Sequence, residues 1–107
     1  MAVLLVSLNL KPGNEHHNEI MRLIKSLDNW VKISETSYAV TTRQSPDLLG
    51  SRIRPLIGTD EQVHVFTLGQ HYYEYGQNNV KHWLDTYLAE NHPEPRFAAL
   101  PNGTYGY

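Results

Sequence analysis

The stretch "WVKISETSYAVTT", Trp30 to Thr42, reads as two strands with almost nothing between them. In its first half Val31 and Ile33 alternate with Lys32, the period-two pattern of a strand with one buried face. Its second half, "TSYAVTT", is rich in β-branched and aromatic residues, which suit a pleated surface. Ser34-Glu35-Thr36 is too short a link for a crossover, so the two strands form an antiparallel hairpin.

On the N-terminal side, residues 2–10 form an aliphatic run, ended by Lys11-Pro12-Gly13, and read as a buried strand. Asn14 is the expected N-cap of a helix, with Glu15 and Glu19 near its positive end. Ile20, Leu23, Ile24 and Leu27 give that helix one apolar stripe, and Asp28-Asn29 ends it. On the C-terminal side, Ser45-Pro46-Asp47 combines a hydroxyl cap, a proline at the first helical position and an acid in the first turn. Leu49, Ile53, Leu56 and Ile57 form the stripe of this second helix, which Gly50 and Pro55 shorten and tighten. "GTDEQ" is a turn, and in "VHVFTL" Val63, Val65 and Thr67 take one face while His64, Phe66 and Leu68 take the other.

The order is therefore β-α-β-β-α-β, and the predicted fold is α+β: a ferredoxin-like sandwich with two helices over one face of a four-stranded antiparallel sheet. A third helix is expected over 79–90, with Val80, Trp83, Leu84, Tyr87 and Leu88 as its stripe. It is the natural lid for the second sheet face or for a dimer partner. Residues 1–90 form one domain with this appended helix. Residues 91–107 are a Pro- and Gly-rich tail in which Phe97, Leu100, Tyr105 and Tyr107 are able to dock or to add an edge strand.

Composition limits the function. A chain of 107 residues buries roughly two-thirds of its unfolded surface in a single core. With no cysteine there are no disulfides, thiolate metal sites or cysteine nucleophiles, which fits a reducing, cytoplasmic setting. No apolar run reaches the length of a membrane span, and the start lacks the basic region of a secretory leader. The net charge of −2 recruits no polyanion globally. Up to Ile57 there are seven Lys/Arg against five Asp/Glu, and from Gly58 two against six. A phosphate-binding edge would therefore draw on Arg43, Arg52 and Arg54. Arg52 and Arg54, two apart on a helix, do not share a face, and solvated charges on an otherwise apolar helix are the simpler reading.

His16-His17 beside Glu15 and Glu19 lacks the spacing of a helical metal site, because adjacent histidines diverge by about 100°. It reads as a solvated first turn. "GQHYYEYG", residues 69–76, is the most unusual stretch. As a site it offers aromatic faces for bases and His71 or Glu74 as acid–base groups, with His64 as their second titrating partner. As structure it is an aromatic corner packing the third helix, and Tyr72, Tyr73, Tyr75, Trp83 and Tyr87 are then interface anchors. No Ser-His-acid arrangement and no Gly-rich phosphate loop can be read from the chain.

Taken in order, "LKPG", "HHNEIMRLIKSL", "NWVKISETSYAVTT", "SPDLLGSRIRPLIGTDEQVHVFTL" and "GQHYYEYG" resemble the small SinR-like proteins related to the CRISPR-adaptation nuclease subunit and its ferredoxin-fold toxin cousins. The resemblance spans roughly residues 2–88. It implies a homodimer with facing sheets, an origin in phage or mobile elements, and, in nuclease members, an Asp near the end of the first strand at a shared divalent metal. Here Ser7 and Leu8 stand where an aromatic and that Asp are expected. Leucine cannot ligate a metal, and Asn9 offers only a neutral carbonyl. The expectation is thus a non-catalytic or degenerate nuclease fold acting in interaction, inhibition or nucleic-acid association, without a cofactor. The alternative is a small endoribonuclease using His64, His71 and Glu74, or one using Mg2+ or Mn2+ held by a later carboxylate.

Overall fold

The computed structural model describes residues 1–91. Strand β1 (Ala2–Asn9) leads to helix α1 (His17–Lys25), the hairpin strands β2 (Asn29–Ser34) and β3 (Ser37–Thr42), helix α2 (Pro46–Ile53), strand β4 (Gln62–Thr67) and helix α3 (Asn78–Asn91). The sheet order is β2-β3-β1-β4, with every neighbouring pair antiparallel. This is the ferredoxin-like arrangement expected from the hairpin. The expected tail lies outside the described residues from position 92 onward, as do Phe97, Leu100, Tyr105 and Tyr107. Among the described residues no helix is long and apolar enough to cross a membrane.

The register explains the two-sided core. Leu4, Val6 and Leu8 of β1, with Tyr38 and Val40 of β3, meet Ile20 and Ile24 of α1 and Leu49 and Ile53 of α2. On the opposite face Val3, Val31 and Ala39 meet Val80, Leu84 and Leu88 of α3. The third helix is thus a lid on its own sheet. It covers only part of that face, packing over β2 and the first half of β1.

Local chemistry sets the element ends. The Ser45 side chain accepts the Leu48 N–H at 3.1 Å, capping α2 as its sequence predicts. Pro55 falls in a 3-10 turn, Arg54–Leu56, that tightens the exit of α2. Helix α1, by contrast, starts at His17, later than an Asn14 cap implies. The Asn14 amide is committed elsewhere: Oδ1 accepts the His16 N–H at 2.7 Å, and Nδ2 donates to Glu61 Oε1 at 2.7 Å. Before it, Lys11–Asn14 closes as a turn with Asn14 N donating to Lys11 O at 3.1 Å, Pro12 second and Gly13 third. Gly13 has φ +83°, which the third position of a type II turn requires and a side chain would resist.

Candidate functional site

Strand register assigns every side chain of the α3-side face. Leu5 stands between Ala39 and Phe66, and Ser7 between Ser37 and His64. Asn9 pairs with Gln62, and Asn29 with Thr41. A register shift between Lys32 and Ser34 interrupts the hairpin beside Ile33, which joins Leu5 and Ser37 in the wall of one cavity. Across all four strands this face carries no Lys, Arg, Asp or Glu, and His64 is its one ionisable side chain. The corner left open by α3 includes Phe66, 53% exposed, whose ring runs nearly parallel to that of His64 with centroids 6.2 Å apart.

The five aromatic residues expected at an interface divide into two groups. Trp83 and Tyr87 pack on each other, with centroids 4.6 Å apart, and on the apolar cluster beneath α3. Tyr87 donates its hydroxyl to Asn29 Oδ1 at 2.9 Å, tying α3 to β2. Tyr72 packs against the same cluster and donates to the Asp85 carboxylate, which also accepts from Lys81. These three hold the chain together. Tyr73 and Tyr75, at 89% and 90% exposed, face outward.

His64 lies in the middle of β4, whereas His71 and Glu74 lie in the irregular segment between β4 and α3. No hydrogen bond or ion pair joins these three to one another among the described residues. Glu74 instead lines a cavity of about 490 Å3 between that segment, α3 and the sheet. Of the three arginines, Arg43 follows β3 ahead of α2, Arg52 is on the last turn of α2, and Arg54 begins the 3-10 turn. All three are exposed, and Arg43 and Arg54 stand at opposite ends of α2.

The end of β1 is closed toward the helices. Leu8 is 3% exposed and packed in the core under α1 and α2, while Ser7 and Asn9 point to the other face. Near α1, His16 Nδ1 lies 2.9 Å from Glu19 Oε1, and its Nε2 lies 3.6 Å from a Glu15 oxygen. The Glu19 hydrogen bond raises the His16 pKa above its ordinary value. No group of three or more His, Asp or Glu side chains among the described residues is arranged to hold a metal ion.

Glu61, which the sequence marks only as part of a turn, is a densely bonded carboxylate. It accepts the backbone N–H groups of Lys11 and Gly58 and the Asn14 amide, each at 2.7 Å. The Gly58 and Lys11 bonds hold its pKa below the ordinary carboxylate value. The only sequence signal was its place in the turn "GTDEQ", which names no partner fifty residues upstream.

No family model matches the chain, and no curated protein matches it.

Proposed function

We propose that this chain is a non-catalytic interaction protein of nuclease-like fold that works as a homodimer through the sheet corner α3 leaves open. The observation carrying this reading is the chemistry of that corner. Leu5, Ser7 and Phe66 sit among Asn9, Gln62 and His64, with no formal charge on any strand of the face. Depletion of charge around aromatic and aliphatic side chains is what distinguishes the centre of a protein interface. It is the opposite of what a phosphate backbone demands, since phosphates are held by Lys and Arg.

Nucleic-acid association, as in the SinR-like and CRISPR-adaptation relatives that the sequence resembles, would then fall to Arg52 and Arg54 on the helix layer, with Arg43 beyond β3. The burial of Leu8 in the helix-side core supports a quiet strand end, because a carboxylate there would lie among apolar side chains.

Light scattering across the micromolar range tests the reading. The expected result is twice the chain mass for the natural sequence and the single mass for Phe66→Glu, with equal melting curves at dilutions where both are single chains. A natural sequence that stays monomeric overturns it. So does cleavage of labelled RNA that is lost in His71→Ala or Glu74→Gln, which would establish the endoribonuclease alternative in its place.

A further inference from the structure

We infer that the cavity between α3, the sheet and the 69–77 segment binds a small organic cation with an apolar body. Its inner wall is aliphatic, formed by Leu5, Leu68, Val80, Leu84 and Leu88. At its mouth the 72–75 segment contributes Glu74 and three tyrosines, of which Tyr72 packs against the apolar cluster while Tyr73 and Tyr75 stand in solvent at the rim. Among the described residues no Lys, Arg or His lines it and Glu74 is its one carboxylate, with the Lys81 ammonium outside the cavity near enough to feel its charge. At about 490 Å3 it falls in the size range of small-ligand sites, which are mostly apolar with a few placed polar groups.

Charge complementarity selects the occupant. An anion would meet Glu74 and the negative faces of tyrosine rings, and a neutral apolar molecule would leave the carboxylate without a partner. A substituted ammonium satisfies both, its charge meeting Glu74 and its carbons the aliphatic wall, with the rim tyrosines able to cover it.

Three features keep the carboxylate available and the segment in place. Glu74 forms no ion pair among the described residues, and the nearby Lys81 ammonium is bonded to Asp85 at 3.0 Å. The Tyr72 hydroxyl is bonded to the same Asp85, which fastens the segment to α3. Gly76 has φ +152°, a backbone that a side chain would strain, and a Cβ there would stand 3.3 Å from Glu74 Oε2, so a larger residue would push the carboxylate by a few tenths of an ångström. Tyr73 and Tyr75 remain almost fully exposed, surface that a ligand would cover. Leu5 borders both this cavity and the corner proposed for the dimer, but the cavity is formed within a single chain.

Methyl NMR titration of the full chain tests it with three probes: benzyltrimethylammonium, choline, and 3,3-dimethylbutan-1-ol, the uncharged molecule of choline's shape. Benzyltrimethylammonium should shift the methyls of Val80, Leu84 and Leu88, and choline should bind about tenfold tighter than its neutral counterpart. In Glu74→Gln, with its backbone spectrum otherwise unchanged, that preference should collapse. Equal binding of the cation and its neutral counterpart overturns the inference. So do shifts confined to other methyls, a preference that survives in Glu74→Gln, or no response at millimolar probe.

Discussion

The two faces of the sheet are built from the same four strands and finished differently. On one side, α1 and α2 close over Leu4, Val6, Leu8 and Val40. On the other, α3 closes over Val3, Val31 and Ala39 and leaves Phe66 and Ile33 in solvent. Alternation along β1 serves both: its even positions build the closed core, and its odd positions pass from the lid of α3 to the open corner. The difference separates the work of the two faces. The closed side holds the larger share of the buried side chains, and the half-closed side keeps an uncharged surface in solvent.

Substitutions should separate the faces by magnitude. Leu49→Ala, under α2 on the closed side, should lower unfolding stability by about 3 kcal/mol in urea titration. A loss below about 1 kcal/mol would mean that the closed core is not the stabilising one. Tyr87→Phe, which removes the bond between α3 and Asn29, should cost about 1 kcal/mol by the same measurement.

Acid should act on the closed side's loops. The folded pKa of Glu61 lies below its unfolded value, so its contribution is present above the unfolded pKa and is lost as pH falls through the folded one. The melting temperature should therefore drop on acidification below about pH 4.5, the ordinary value for a glutamate. The drop should be shallower in Glu61→Gln. An identical acid slope in the two proteins would remove Glu61 from the account. Smallest of all, Phe66→Ser on the open corner should change the stability of the separated monomer by no more than about 0.5 kcal/mol, read at a concentration where light scattering shows a single chain.

Much of this architecture is legible in local chemistry. The hairpin follows from Val31, Lys32 and Ile33 in alternation and a short link, and the start of α2 from Ser45-Pro46-Asp47, because each signal lies within a few residues of its effect. The start of α1 is illegible for the opposite reason. Asn14 is a fair cap by type, but its amide is drawn to Glu61, 47 positions away, and the helix begins later. The candidate site is less legible still. "GQHYYEYG" has no periodicity from which to tell Tyr72, fastened to Asp85, from Tyr73 and Tyr75 in solvent. Nor does sequence place Glu74 in a cavity with Leu5 of β1 and Leu84 and Leu88 of α3, since only the path of the chain between β4 and α3 brings them together.

Strand β4 carries one more consequence. It is an outer strand of the sheet, and among the described residues nothing pairs with its far side. Natural edges are usually blunted by lysine, proline or a bulge so that a second chain cannot extend the ladder. "QVHVFT" has neither lysine nor proline and no charge beyond its histidine, and its pairing with β1 runs without a shift. Its outward backbone groups are therefore an unguarded template for another strand. The segment that leaves the Phe66 ring in solvent thus also leaves a row of backbone donors and acceptors there, which favours association as concentration rises.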